Sequence, residues 1–311
     1  MATGDGYTTQ DVERLTAAGF DVMLRSEIGG AELQELLPSI GVYILGGNER
    51  LGADLLETAR RLKLISFVGT GYSAFIDESA ATARGILIRN TPNIMADAVA
   101  EHTVGLLIGL VRGLFTQNES VKRSADPIAP TPELRDVFVG IIGLGSIGSR
   151  VARVLVNGFG CRVAYHSRTP RPELERELRL EFLDLDALLR AVDAALLLVP
   201  TTASTVDLLD DKRLASVRPG LLLVNTAGAR LVNPGALKAA LEAGHVRAAA
   251  FDGYWLEPLP TAASDPWGFL RLPDDKFIVT PHTAAKTHSA WPRMIAAAVD
   301  NVVNEFVSEA K

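Results

Sequence analysis

One stretch of the sequence pairs residue types with a spacing that defines a chemistry. Val139-Gly140-Ile141-Ile142 has the unbroken apolar pattern of a buried strand. It runs straight into Gly143-Leu144-Gly145-Ser146-Ile147-Gly148, and residues 149–156 follow with helical spacing. A Gly-x-Gly-x-x-Gly run alone is weak, because glycine-rich turns are common; between a strand and a helix it is the fingerprint of a dinucleotide-binding turn. Gly143 permits the tight turn, Gly145 lets a pyrophosphate approach the backbone, and Gly148 lets the helix pack close to the strand. The helix start offers N–H groups and the positive end of its dipole to the phosphates. Gly143, Gly145, Ser146, Ile147 and Gly148 are the expected cofactor positions. The competing reading is a purely structural turn in an α/β domain.

The next strand, Arg162-Val163-Ala164-Tyr165, ends at His166-Ser167-Arg168-Thr169. NAD enzymes place an aspartate or glutamate at this tip to hold the ribose 2′-hydroxyl. Here the tip carries a hydroxyl, Ser167, and a cation, Arg168. A carboxylate would repel a 2′-phosphate, whereas a guanidinium pairs with it. NADP(H) is therefore expected in preference to NAD(H), with Ser167, Arg168 and Thr169 at the adenosine end. The competing reading has Arg168 stacking on adenine, so that both cofactors bind.

Short apolar runs alternate with helical spacing along the chain, which predicts parallel sheets with crossover helices. Strands are expected at residues 20–24, 41–45, 64–68, 86–89, 137–142, 162–165, 194–199, 221–224, 248–251 and 277–279. Helices are expected at 10–18, 31–37, 54–61, 95–115 and 290–308, with a looser connection around Pro127, Pro130 and Pro132. Residues 1–8 show no strand pattern, so the first strand is either very short or absent.

The chain has 311 residues, 48% of them hydrophobic, enough for two domains each with its own core. The net charge is -6 and no basic block occurs, which argues against a nucleic-acid partner. The single cysteine, Cys161, forms no internal disulfide and builds no Cys-rich metal site; no metal is expected. No signal peptide pattern opens the chain, and its apolar runs are too short to span a bilayer. A soluble, cytoplasmic protein without membrane partners is the expectation.

Further ordered segments are Gly46-Gly47-Asn48-Glu49-Arg50, Leu62-Lys63-Leu64-Ile65-Ser66, Ala80-Ala81-Thr82-Ala83-Arg84-Gly85, Asn90-Thr91-Pro92 and Ala98-Val99-Ala100-Glu101-His102-Thr103. Later come Asn225-Thr226-Ala227, Glu257-Pro258 and Thr280-Pro281-His282. Together they resemble the D-isomer-specific 2-hydroxyacid dehydrogenase family, in its glyoxylate/hydroxypyruvate reductase-like, NADP-type form. The likeness covers nearly all of the chain from Gly46 onward. It implies two Rossmann-like, doubly wound parallel-sheet α/β domains with a cleft between them. Residues 1–95 and 287–311 would form the substrate-binding domain and 96–286 the NADP-binding domain. It also implies a small-molecule substrate, a homodimer paired largely through the cofactor domain, and closure that excludes water during hydride transfer.

The resemblance supplies roles. His282 takes the place of the acid/base histidine, a suitable group because imidazole titrates near neutrality. Glu257 matches its partner carboxylate, which favours the charged ring and orients it. Asp252 would contact the nicotinamide carboxamide. Thr70, Val199, Pro200, Thr205, Thr226, Ala227, His282 and Ala284 would lie beside the cofactor. Backbone amides around Val68, Gly69, Thr70 and Gly71 would hold the substrate carboxylate, since glycine allows close approach. The stretch from Gly71 to Asp77 is one residue longer than the commonest family form. Among the other histidines, His102 reads as structural, His166 lies at the cofactor edge, and His245 ends a helix.

One departure stands out. The family pattern Asn-x-x-Arg-Gly supplies the arginine that pairs with the substrate carboxylate. This chain reads Asn225-Thr226-Ala227-Gly228-Ala229-Arg230. Gly228 forgoes a bidentate charge pair worth on the order of 1.5–3 kcal/mol. Three readings stay open. Arg230 replaces the missing arginine, since residues two apart on extended chain share a side. Or the substrate differs and is met by Lys286, Tyr254 or Trp291, with Trp255 and Trp291 reshaping an aromatic pocket. Or catalysis is lost and the protein is an NADP(H)-binding sensor. His282 and Glu257 argue for the enzyme.

Overall fold

Alternating apolar runs and helical spacings become two separate parallel sheets. The computed structural model describes residues 1–123, 130–257 and 259–307. Pro127 of the expected connection, Pro258, and residues 308–311, with Ser308 at the end of the expected last helix, lie outside the described residues. The chain divides into two units: Met1–Met95 with Lys286–Lys311, and Ala96–Ala285. Lys286 thus groups with the first unit, one residue from the expected join.

In the first unit the strands are β1 (Ala2–Thr3), β2 (Leu24–Arg25), β3 (Val42–Leu45), β4 (Leu64–Phe67) and β5 (Leu87–Arg89). They pair in the order β2-β1-β3-β4-β5, and every pairing is parallel. Leu33, Leu37, Tyr43, Leu45, Leu56, Ile65 and Phe67 form the core of this unit. The final helix, Ala290–Val307, returns to it: the Ser66 hydroxyl donates to the Ala298 carbonyl at 2.9 Å, and Met294, Ala298, Val299 and Val302 are buried.

In the second unit they are β6 (Val139–Ile142), β7 (Val163–His166), β8 (Glu181–Phe182), β9 (Ala194–Leu197), β10 (Leu221–Asn225), β11 (Val246–Asp252) and β12 (Phe277–Thr280). Their order is β12-β11-β10-β9-β6-β7-β8, again all parallel. Apolar clusters cover both faces, as a parallel sheet requires. The chain reverses direction across this sheet between β6 and β9, and across the first between β1 and β3. Such switch points open a crevice at the carboxyl ends of the strands.

Several expected elements differ. The opening strand exists and is very short, two buried residues. The strand expected at 20–24 shrinks to Leu24–Arg25, because the strand it pairs with is itself two residues long. The helix expected at 95–115 is two, Ala96–Arg112 and Leu114–Lys122, bent by 57°. Gly113 sits between them at φ 61, a left-handed conformation that glycine adopts cheaply. The helix expected from residue 149 begins at Ser146 and gives way to a wider π turn over Val154–Gly158. The edge strand Glu181–Phe182 shows no sequence pattern of its own; both residues are exposed. No single helix among the described residues is long and apolar enough to cross a membrane.

Candidate active site

The glycine-rich loop leaves the end of β6 at the switch point. Gly143 has φ 106, and a side chain there would put its Cβ 2.6 Å from the Leu198 carbonyl oxygen. A Cβ on Gly148 would collide with the carbonyl oxygen of Gly143, so the helix can sit this close only on glycine. The space over Gly145 is open. Gly145 caps the helix Ser146–Arg153 without a side-chain bond, so the first-turn amides of Ser146, Ile147 and Gly148 have no acceptor within the helix. Open backbone, unspent donors and a helix dipole together fit a pyrophosphate.

At the end of β7, Ser167 donates to the Thr169 carbonyl at 2.6 Å. Arg168 is exposed, and its guanidinium has no hydrogen-bond or ion-pair partner among the described residues. His166 turns away: its Nδ1 donates to the Leu183 carbonyl at 3.0 Å, and its ring stacks on Phe182. After β9, Val199 and Pro200 lead into a loop braced by Thr205. Its hydroxyl donates to the Pro200 carbonyl at 2.8 Å and accepts from the Thr202 amide at 2.7 Å.

Asp252, at the end of β11, is 5% exposed. Its Oδ1 accepts from the Thr280 hydroxyl at 2.6 Å and the Thr283 amide at 2.9 Å; its Oδ2 accepts from the Ala284 amide at 2.9 Å. His102, read from the sequence as structural, meets this group from the helix Ala96–Arg112, and Thr103 beside it reaches Thr226. His102 Nε2 lies 3.0 Å from Thr280 Oγ1 and 3.8 Å from Asp252 Oδ1. Thr103 Oγ1 donates to the Val99 carbonyl at 2.7 Å, so at its 2.7 Å contact with Thr226 it is Thr226 that donates.

The pair joined by resemblance is joined in space. His282 Nδ1 lies 2.8 Å from Glu257 Oε1, and since a carboxylate only accepts, Nδ1 carries the proton. The other ring nitrogen, Nε2, is then the one able to give or take a proton. The imidazole is half exposed while Glu257 is mostly buried. His282 has φ 55, a left-handed backbone uncommon outside glycine, held partly by its N–H to the Thr280 carbonyl at 2.9 Å.

The loops after β10 and β11 bear on three points singled out in the sequence: Gly228, Arg230, and Tyr254 with Trp255. Asn225, buried, clasps the loop: its Oδ1 accepts from the amides of Ala227 and Gly228 at 3.1 and 3.2 Å, and its Nδ2 donates to the Gly228 carbonyl at 2.9 Å. Gly228 therefore has its backbone groups spoken for, and a Cβ there would lie 2.5 Å from Thr201 Oγ1. Second, Ala229–Leu231 is a 3-10 turn, not extended chain, so Arg230 does not share a side with Gly228 by strand alternation. Its guanidinium is exposed with no partner among the described residues. Third, Tyr254 and Trp255 are buried in the apolar cluster on one face of the second sheet. Tyr254 is buried with its hydroxyl donated to Asp265 at 2.6 Å; Trp255 donates to the Val232 carbonyl at 2.8 Å and packs on Phe251 and Phe269.

In the first unit, the turn after β4 keeps half of its expected donors. The Val68 amide donates to the Leu45 carbonyl at 2.9 Å and the Gly69 amide to Thr91 Oγ1 at 2.9 Å. The amides of Thr70 and Gly71 have no acceptor among the described residues. In the same unit Trp291 Nε1 donates to the Asp5 carbonyl at 2.8 Å, and the Lys286 ammonium lies 5.3 Å from the centre of its ring.

Residues 104–284 match the family model for the NAD-binding domain of D-isomer-specific 2-hydroxyacid dehydrogenases. The chain is 31% identical over 266 residues to glyoxylate/hydroxypyruvate reductase B of Citrobacter koseri, covering 84% of this chain and 80% of that protein. It is 32% identical over 286 residues to a glyoxylate reductase of Thermococcus onnurineus, covering 89% and 83%. Among solved structures, D-lactate dehydrogenase from Aquifex aeolicus complexed with NAD and lactic acid superposes with a TM-score of 0.85 at 26% identity, covering 99% and 96% of the two chains. The glycine loop, the buried Asp252 and the His282–Glu257 pair thus stand in a chain that belongs to the D-isomer-specific 2-hydroxyacid dehydrogenase family, oxidoreductases of CH–OH groups with a nicotinamide cofactor.

Proposed function

We propose that the protein is an NADPH-dependent reductase of 2-keto acids. The observation that carries this reading is the 2.8 Å His282–Glu257 pair, in the same unit as the phosphate loop. The nicotinamide, when bound, supplies hydride to the carbonyl carbon. His282, its Nδ1–H anchored on Glu257, presents a proton from Nε2 to the carbonyl oxygen as that oxygen gains charge. Glu257 steadies the imidazolium, and after the transfer the neutral ring accepts a proton again. The Thr70 and Gly71 amides, which have no acceptor among the described residues, are donors suited to a substrate carboxylate, a weaker grip than the guanidinium that Gly228 forgoes.

Preference for NADP(H) rests on the end of β7. No carboxylate stands at Ser167-Arg168-Thr169, and the unpaired Arg168 is free to take a 2′-phosphate. A second reading, a catalytically silent NADP(H) sensor, is favoured by Gly228 in the place of the family arginine.

The test is oxidation of NADPH beside NADH with glyoxylate, hydroxypyruvate, phenylpyruvate, bulkier 2-keto acids and carbonyls without a carboxylate. Turnover of a 2-keto acid that falls about 100-fold or more in His282→Gln, with NADPH still bound, supports the enzyme. Tight NADPH binding without turnover of any keto acid overturns it in favour of the sensor. Arg168→Asp is expected to shift preference toward NADH, and an unchanged preference sinks that part of the proposal.

A further inference from the structure

Three polar residues far apart in sequence, His102, Asp252 and Thr280, form one hydrogen-bonded chain, and its direction is determined. Asp252 and Thr280 are paired residues at the ends of neighbouring strands β11 and β12. At 2.6 Å from a carboxylate that already accepts two backbone amides, the Thr280 hydroxyl spends its single proton on Asp252 Oδ1. Thr280 Oγ1 can then only accept at its 3.0 Å contact with His102, so His102 Nε2 carries a proton and donates.

The residues that Asp252 holds are Thr280, Thr283 and Ala284, which flank His282 on both sides. His282 itself has φ 55, a conformation that persists when its surroundings over-determine it. Asp252 is therefore a clasp on the turn that presents the imidazole. His102 closes the clasp from the helix Ala96–Arg112 by fixing which way the Thr280 hydroxyl points.

We propose that His102, acting through the Thr280 hydroxyl and Asp252, is a positioning residue for the acid/base histidine His282. This rests on the reading of His282 as proton donor. Without the Nε2–H donor, the Thr280 hydroxyl is free to rotate toward the Phe251 carbonyl, 3.4 Å away, and one of the bonds that hold the turn is lost. Catalytic geometry is sensitive to such slack, because small misplacements of a reacting group cost large factors in rate.

The experiment compares His102→Phe, Thr280→Val, the double variant and His102→Gln, whose amide can donate near the place of Nε2. Steady-state kinetics with the preferred keto acid and saturating NADPH are read beside melting temperatures. Each single variant is expected to lower kcat about tenfold with substrate KM within about twofold. The double variant should be no slower than the worse single one, because both break the same chain. His102→Gln should recover most of the rate. Wild-type kcat in His102→Phe, or losses that multiply in the double variant, overturns the proposal. If His102→Phe fails to fold, Thr280→Val against His102→Gln decides it: equal losses in both overturn it. A His282→Gln protein that still turns over would instead remove the underlying reading, whatever the His102 variants do.

Discussion

The two sheets share a topological device and use it in opposite ways. Where strand order reverses between β6 and β9, the chain leaves polar groups unspent: the amides of Ser146, Ile147 and Gly148 and the open face of Gly145. Where it reverses between β1 and β3, the polar side chains are spent on neighbouring groups. Glu49 accepts from the hydroxyls of Thr3 and, at 2.7 Å, Tyr43, while the Tyr7 hydroxyl donates to the Thr3 carbonyl at 3.2 Å. Burial, with the Glu49 charge adding, pushes both tyrosine hydroxyls far above their ordinary range, so they stay as donors. A switch point thus provides a crevice but not its chemistry. One strand further on, after β4, the amides of Thr70 and Gly71 have no acceptor among the described residues.

The largest expected effect breaks the phosphate loop. Gly148→Ala forces a methyl group into the Gly143 carbonyl oxygen, and both are backbone-bound, so neither yields cheaply. Overpacking of this kind costs about 1–3 kcal/mol, which in cofactor affinity is about 5- to 150-fold. Titration of protein fluorescence with NADPH measures it. Affinity equal to wild type would mean that the loop is not where the phosphates sit, and the contrast between the two switch points would collapse.

How far the site was legible followed from how local its signals are. The phosphate loop and the Thr280-Pro281-His282 segment are contiguous, so residue order alone announced them. The His102–Thr280–Asp252 chain joins residues 102, 252 and 280, each of an ordinary polar type; strand register brings the last two together and the packing of the helix Ala96–Arg112 adds His102. Tyr254 and Trp255 sit beside Glu257 in sequence and read as pocket walls. In the fold their rings complete the apolar cluster on one face of the second sheet, with both polar tips satisfied inside it. The geometric ground given for Arg230 failed on backbone conformation: whether 228–230 is extended or turned depends on Asn225, whose clasp on the Gly228 backbone is a tertiary choice of rotamer. Short edge strands were lost for a related reason, since two residues carry no periodicity.

A smaller effect probes the self-satisfied end of the first sheet. Tyr43→Phe removes one of the hydroxyls that Glu49 accepts, at a fully buried position. The expected cost is about 1–2 kcal/mol of stability, seen in denaturant unfolding, with NADPH affinity unchanged. A drop in cofactor affinity, or in kcat/KM without loss of stability, would show that this cluster serves the ligands and is not closed on itself.

The smallest effect concerns a second carboxylate clasped by a tyrosine, now in the second unit. Asp265 accepts from the Tyr254 hydroxyl at 2.6 Å and from the amides of Trp267 and Leu270 at 3.0 and 2.9 Å. Burial pushes its carboxyl up, but the Tyr254 hydroxyl and the amides of Leu270, Trp267 and Gly268 outweigh that and hold it below its ordinary 3.8. A carboxyl held low by the fold contributes stability that is complete above its unfolded value and is lost as pH falls through its folded value. Tyr254→Phe gives up part of that contribution. The gap in unfolding free energy between wild type and variant should therefore be widest near neutrality and narrow by about 1 kcal/mol as pH drops below 3.8. A gap that stays constant across that window would mean that the tyrosine stabilises by packing alone, and the clasp would not be an electrostatic counterpart of the one on Glu49.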